Sequence, residues 1–226
     1  MSINLFGKSK TRVLVLGSTG MIGHMIYSYL SSESTLEVFD SSRRKLTDKT
    51  YICDLLNFDS LIKILKDLKP SWIINASGIL IEESEKDPQR SKLINGLLPK
   101  KLAKYCKNLD TRIIQLSTDC VFSGENSPYS EKSKKNSKLI YGKTKSMGEL
   151  NDSKNITLRT STIGPDLFSD GTELFHWFFF NDSVKGYTKS IWNGITTLEL
   201  AKRIRIFMQS ECYGLYHISN HYPISK

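Results

Sequence analysis

The sequence of 226 residues has no apolar run approaching the roughly 20 residues that a membrane-crossing helix needs. Its four cysteines, Cys53, Cys106, Cys120 and Cys212, are scattered, with no CxxC pair and no Cys/His cluster at metal-ligand spacing. A disulfide framework and a zinc site are therefore not expected, and the thiols read as reduced. Residues 1–10 are polar and basic without an apolar core segment, so no secretory signal is expected, and a cytoplasmic location is the simplest reading. Repeats and low-complexity stretches are also missing. What is present is ordinary for a packed globular chain: 39% hydrophobic and 10% aromatic residues, too many for disorder.

Acidic residues are outnumbered, 23 against 32 Lys and Arg, for a formal charge of +9. The lysines are spread along the chain apart from a cluster at 132–138, whose serines and asparagine mark it as a solvated loop. No nucleic-acid motif accompanies the charge, so neither nucleic acid nor a membrane is expected as a partner. A polyanionic small molecule, such as a dinucleotide or a nucleotide sugar, would also profit from the positive potential.

The order of elements is informative. Strand-like apolar runs at 12–16, 36–39, 72–76, 112–117 and 156–160 alternate with helical patterns at 21–30, 58–68, 88–106 and 141–150. This alternation predicts an α/β fold of the Rossmann type, a doubly wound parallel sheet covered by helices on both faces. Beyond Gly164 the rhythm changes to an aromatic helix at 174–180, a helix near 198–208 and a strand near 215–219. Two regions are expected: 1–164 as a dinucleotide-binding domain, and 165–226 as mainly a substrate-side lobe interleaved with the last sheet elements. The five aromatic residues from Phe175 to Phe180 are expected to fill the core between the lobes. Further residues are expected after Lys226, and a homodimer is compatible with the pattern.

Three motifs carry chemistry. Gly17-Ser18-Thr19-Gly20-Met21-Ile22-Gly23 fits GxxGxxG between the first strand and the first helix. Gly17 would permit the tight turn, Gly20 would let backbone approach a pyrophosphate, and Gly23 would let the helix pack on the strand. The helix N-terminus would offer free N–H groups to the phosphates. Asp40 is placed to bond the ribose of NAD, whereas Arg43 and Arg44 would suit the 2′-phosphate of NADP. With Asp40 read as lying just past the strand end, NADP is favoured over NAD.

Tyr141 and Lys145 are four residues apart, hence one above the other on a helix. A neighbouring ammonium favours the phenolate, which suits the tyrosine for proton donation to a carbonyl. Ser117-Thr118-Asp119 ends a buried strand, where ligands bind in open α/β sheets, and the Thr118 hydroxyl could hold that carbonyl. His217 and His221 have no recognisable partner in the sequence.

These segments, with Cys53-Asp54-Leu55, Asn75-Ala76-Ser77-Gly78, Asn95 with Pro99, Pro128-Tyr129-Ser130-Glu131, Gly148-Glu149, Leu158-Arg159-Thr160-Ser161, Trp192-Asn193-Gly194 and Gly214-Leu215-Tyr216-His217, resemble the dTDP-4-dehydrorhamnose reductase family of extended short-chain dehydrogenases. The resemblance implies a reductase acting with NADP or NAD on the keto group of a nucleotide-linked deoxysugar, for cell-surface polysaccharide synthesis. It implies that Thr118, Tyr141 and Lys145 are catalytic. Gly17, Thr19, Gly20, Met21, Ile22, Gly23, Arg43 and Asn95 would bind the cofactor. Asp54 and Leu55 would face its adenine, while Ala76, Ser77 and Gly78 would line it. Asp119, Val121 and Phe122 would approach the sugar.

Two departures bear on the substrate. Thr162 stands where family members often have Trp, which puts the rhamnose precursor in doubt. Cys120 stands where related dehydratases carry an acid, which disfavours dehydration. Cysteine at this place also occurs in GDP-fucose synthases, so an epimerase-reductase with His176 as partner is an alternative. Another is a non-catalytic regulatory subunit, because that of methionine adenosyltransferase resembles the same family.

Overall fold

The run read as the first strand forms β1 (Thr11–Leu16), whose Val13 to Leu16 are wholly buried. In the computed structural model, which describes residues 10–125, 127–168 and 174–225, β1 lies between two parallel neighbours. On one side are β2 (Leu36–Ser42) and the short edge strand β3 (Thr50–Ile52). On the other are β4 (Trp72–Asn75), β5 (Arg112–Thr118), β6 (Ile156–Thr160) and β10 (Gly214–Ile218), so the sheet runs β10-β6-β5-β4-β1-β2-β3 with every pair parallel. Chain order reverses at β1, which opens a crevice at the carboxyl ends of β1 and β4.

Helices cover both faces. Helices α1 (Met21–Ser31) and α8 (Thr197–Gln209) pack together over one core, built on Val13, Val15, Ile74 and Leu158. Helix α2 (Phe58–Leu68) and the chain from α4 (Pro88–Ser91) to α5 (Leu98–Cys106) cover the other, built on Leu14, Leu16, Ile73 and Ile113. Helix α2 shows how local the causes are. The Asn57 side chain caps its start by accepting from the Ser60 N–H, and Leu61, Ile64, Leu65 and Leu68 form its buried stripe. Lys69 then takes a left-handed conformation (φ 46°) just before Pro70, which ends it.

Between α4 and α5 the backbone forms a π-helical turn (Lys92–Leu97). Two short elements, α3 (Ile81–Lys86) and β3, carry no periodicity long enough to be read from sequence. The remaining elements are α6 (Ile140–Gly148), α7 (Leu174–Phe179) and two small strand pairs. Strand β7 (Thr162–Ile163) pairs with β9 (Ile195–Thr196), and β8 (Ile191–Trp192) with β11 (Ile224–Ser225).

Three expectations are corrected. Asp40 lies inside β2, not past its end. Pairing with both β1 and β3 carries the strand through Ser42, and both Asp40 carboxylate oxygens are satisfied, by Ser18 Oγ at 2.6 Å and Thr50 Oγ1 at 2.8 Å. The aromatic helix does not fill a core: Trp177, Phe178, Phe179 and Phe180 are 41–68% exposed, and only His176 is buried. A helix of six residues has one narrow face to bury, too little for so many rings. The lysine cluster is not uniformly solvated, because Lys135 Nζ bonds the buried Glu149 carboxylate at 2.9 Å.

The contact between α1 and β1 is tight. A Cβ on Gly23 would overlap the Gly17 carbonyl, which is backbone and cannot move aside. Gly23→Ala is expected to destabilise the fold by about 1–3 kcal/mol or more. A lowered urea midpoint at unchanged slope would show it.

Candidate functional site

Gly17 turns the chain out of β1 with φ +80°, a conformation that side chains disfavour. A Cβ there would also come within 2.7 Å of the Ser77 nitrogen, so the turn and the end of β4 meet backbone to backbone across the crevice. The Gly20 N–H returns to the Gly17 carbonyl at 3.1 Å, while a Cβ on Gly20 would meet nothing closer than 3.6 Å. Helix α1 begins there with no side-chain cap and no acidic residue in its first turn, unlike α2. Its first N–H groups and its positive dipole end are left for an anion. Thr19, Met21 and Ile22, all partly exposed, frame this end of the helix. Ser18, not singled out from sequence, ties the turn to Asp40, and only their distance in the fold reveals it.

Asp40 is engaged and Ser41 and Ser42 are buried inside β2, so the first exposed residue past the strand is Arg43. Arg43 is exposed, and among the described residues no hydrogen bond or ion pair of its guanidinium is formed. The Arg44 guanidinium instead sits 4.1 Å over the Phe168 ring. Asp54 is exposed and Leu55 half-buried after β3.

Across the crevice, Asn75 holds the start of the next loop. Its Oδ1 accepts from both the N–H and the hydroxyl of Ser77, and its Nδ2 donates to Gln115 Oε1 at 2.7 Å. Asn95, in the π-helical turn, does the same for the other end. Its Oδ1 accepts from the Ile79 N–H at 2.8 Å, and its Nδ2 donates to the Ile79 carbonyl at 3.0 Å and to Thr144 Oγ1 at 3.2 Å. Asn95 is wholly enclosed, so its work is to fix the loop from Ala76 to Ile79 and to lock the π turn onto α6. Gly148 faces the Asn95 carbonyl so closely that no side chain would fit between.

Helix α6 brings Tyr141 and Lys145 one turn apart, with Tyr141 half-buried and Lys145 buried. Lys145 Nζ donates to the Leu116 carbonyl at 2.7 Å, and a Cβ on Gly78 would lie 3.7 Å from it. Burial pushes the ammonium down to about 8, opposed by the Glu149 charge. Thr118 ends β5 buried. Its Oγ1 accepts from the Cys120 N–H and donates to Asp119 Oδ1, both at 3.1 Å. The first turn of α6 rests on the 3₁₀ turn that follows Thr118, with Gly142 against the Cys120 carbonyl. The structure therefore brings the Tyr141 helix to the end of the Thr118 strand.

The three residues expected to approach the sugar separate. Asp119 is exposed, Val121 has no accessible surface, and Phe122 is 9% exposed. The Val121 carbonyl accepts from the Asn136 and Ser137 N–H groups, and Phe122 stacks on Tyr129 with centroids 4.2 Å apart. His176 Nδ1 lies 3.1 Å from Asp166 Oδ2 within the second region. No His, Cys, Asp or Glu cluster able to hold a metal occurs among the described residues. Likewise no helix among them is long and apolar enough to cross a membrane.

Lys145 makes the site testable without substrate. Its pKa of about 8 in the fold lies below the ordinary value near ~10.4. The folded protein therefore binds that proton less tightly than the unfolded chain, and the buried charge costs stability below pH 8. This cost is relieved as pH rises towards about 10.4. Relative to Lys145→Met, the wild type is expected to gain about 3 kcal/mol over that window in urea unfolding. A flat difference between the two profiles would show that the ammonium is not enclosed.

Comparison with known proteins agrees with this fold. The family described as the RmlD substrate binding domain matches residues 11–169. Methionine adenosyltransferase 2 subunit beta of Xenopus tropicalis is 30% identical over 139 residues, 61% of this chain and 41% of that protein. The dTDP-4-dehydrorhamnose reductase of Escherichia coli K12 is 27% identical over 157 residues, 67% of this chain and 51% of that one. The chain thus spans about half, or less, of these curated relatives. Among solved structures, a dTDP-4-dehydrorhamnose reductase from Clostridium acetobutylicum superposes with a TM-score of 0.79 at 26% identity, covering 95% of this chain and 76% of that one. Another from Bacillus anthracis, in complex with NADP, has a TM-score of 0.80 at 22% identity, covering 96% and 78%. With its Rossmann-type sheet and a match across most of its length, the chain belongs to the RmlD substrate binding domain family.

Proposed function

We propose that this chain reduces the keto group of a nucleotide-linked deoxysugar, with NADP(H) preferred over NAD(H), as part of cell-surface polysaccharide synthesis. The observation that carries the reading is Lys145: a buried ammonium beside Gly78 in the crevice, one turn from Tyr141 and on the helix that abuts the Thr118 strand end. The relatives named as dTDP-4-dehydrorhamnose reductases, and the one solved with NADP, point the same way.

The crevice fits a dinucleotide. The uncapped start of α1, with Gly20 open to its side, would take the pyrophosphate, and the loop from Ala76 to Gly78 would line the nicotinamide end. Asp54 and Leu55 would border the adenine. Arg43, which has no partner among the described residues, would meet a 2′-phosphate, and the Asp40 carboxylate is turned to Ser18 and Thr50. When bound, reduced nicotinamide supplies hydride. Thr118 and Tyr141 would hold the keto oxygen, and Tyr141 would give it a proton. Lys145 would stabilise the phenolate that remains and orient the ribose. Asp119, with the turn formed by Val121 and Phe122, would border the sugar, and residues 165–226 would form most of its lobe.

A second reading has one observation in its favour, the 30% identity to methionine adenosyltransferase 2 subunit beta. In it the chain binds a dinucleotide but serves as a regulatory subunit. A complete set of Thr118, Tyr141 and Lys145 weighs towards catalysis. The test is NADPH consumption with 4-keto-6-deoxy nucleotide sugars. Tyr141→Phe is expected to lower kcat by about 10²–10⁴-fold while NADPH still binds. No turnover with any such sugar, together with a stoichiometric enzyme partner in pull-down, would replace the first reading by the second.

A further inference from the structure

Beneath the loop at 119–138 lies a buried polar cluster that the proposed chemistry does not use. At its centre, Glu149 is 5% exposed and accepts four hydrogen bonds. Arg159 Nε reaches Oε1 at 2.6 Å and Arg159 Nη2 reaches Oε2 at 2.9 Å, while Ser117 Oγ and Lys135 Nζ each add one at 2.9 Å. Burial alone would raise this carboxyl, but Arg159 and Lys135 outweigh it and hold it below the ordinary range. Two of the five N–H donors of Arg159 are thereby committed, and Nη1 points the other way. It reaches the Glu131 carbonyl at 3.4 Å and His217 Nε2 at 3.2 Å.

That last contact, read as a hydrogen bond, sets the state of the histidine. A guanidinium is donor only and keeps its charge at any accessible pH, so Nε2 must present its lone pair. The ring is therefore neutral, with its proton on Nδ1. Strand pairing sets this geometry, because His217 and Arg159 are register partners across β10 and β6. The backbone N–H of His217 also donates to Glu131 Oε1 at 2.9 Å. On the other side of Arg159, its guanidinium carbon sits 5.1 Å over the Phe122 ring. Phe122 stacks on Tyr129 and meets His217 edge-on at 5.9 Å.

We propose that His217 is a pH-sensitive positioning residue for the nucleotide-sugar end of the site: as a neutral acceptor it fixes Arg159, and through Arg159 and Glu131 it holds the loop that carries Phe122 and Tyr129. The proposal rests on reading that loop as the sugar side. When His217 gains a proton, Nε2 becomes a second donor facing the Arg159 donor, and two cations meet where a hydrogen bond stood. Arg159 cannot yield its proton, so the contact to the loop loosens. Among the described residues, the charged groups that act on the ring are Glu131, Arg159, Glu149 and Asp119. Burial, with Arg159, pushes the imidazole below its ordinary value, against the pull of the three carboxylates. The link is thus intact at neutral pH and opens in mild acid.

The experiment has two arms. In the first, KM for the nucleotide sugar, KM for NADPH and kcat are followed from about pH 7.5 to about 5.5. In the wild type the sugar KM is expected to rise about three- to tenfold while that for NADPH holds. In His217→Gln, which keeps an acceptor but cannot titrate, the sugar KM should not depend on pH in this window. The same acid rise in His217→Gln, or a parallel rise in both KM values, would overturn the proposal. The second arm needs no turnover. Imidazole nitrogen NMR should show His217 with a bare Nε2 and a midpoint below that of an ordinary imidazole, and the amide signals of 122–131 should move with the same midpoint. A protonated Nε2 at neutral pH, or loop amides that ignore the titration, would overturn it even if the chain reduces no sugar. Absence of turnover with the expected NMR result would count against the reductase reading alone.

Discussion

Much of this structure hangs on one enclosed carboxylate. Glu149 follows directly on the Tyr141 helix, and its two oxygens collect Ser117 from β5, Arg159 from β6 and Lys135 from the loop above them. Four separate segments therefore agree on one point. A buried ion pair of this kind adds little net stability over an apolar pair, because desolvation consumes most of the attraction. Losing one partner is another matter, since it leaves an uncompensated charge inside and costs about 3–5 kcal/mol. The pair therefore acts as a specifier: it permits one arrangement of helix, strands and loop and penalises the others.

A second enclosed group completes the frame around α6. Asn95 spends its side-chain amide on Ile79, Ser91 and Thr144, joining the π-helical turn, the loop after β4 and the Tyr141 helix. Glu149 and Asn95 together tie α6 to its neighbours. Lys145 can then remain charged in a buried place, because its ammonium has the Leu116 carbonyl as acceptor and Glu149 as a nearby opposite charge. The cost of burying that charge is carried by the packing around it, a common feature of sites whose groups must be poised.

Much of the fold was legible along the chain. The Rossmann-type alternation, the stripe of α2 and the strand at 156–160 follow from periodicity, which reports burial on one face or on two. The roles of Gly17 and Gly23 could be read as well, because the space around a glycine is dictated by turn and helix geometry. The end of β2 could not: Asp40 is a poor strand former, and only pairing with β3 and the hydroxyls of Ser18 and Thr50 make the position extended and buried. The aromatic segment misled for the opposite reason. Hydrophobicity states what a side chain would gain by burial, not whether a six-residue helix has a surface to bury it against.

The sequence by itself determined the class of fold, the place of the glycine turn and the pairing of Tyr141 with Lys145, since all three depend on spacings of a few residues. Only the tertiary structure decided which side chains are free to act. Asp40 is withdrawn into its strand, and Arg43 is left without a partner among the described residues. Lys135 leaves a solvent-facing cluster for a buried carboxylate, and His217, isolated in the sequence, finds Arg159 58 residues away. The physical reason is common to all four. A hydrogen bond or an ion pair depends on ångström distances between atoms that a parallel sheet brings together from far along the chain, and no local pattern records those distances.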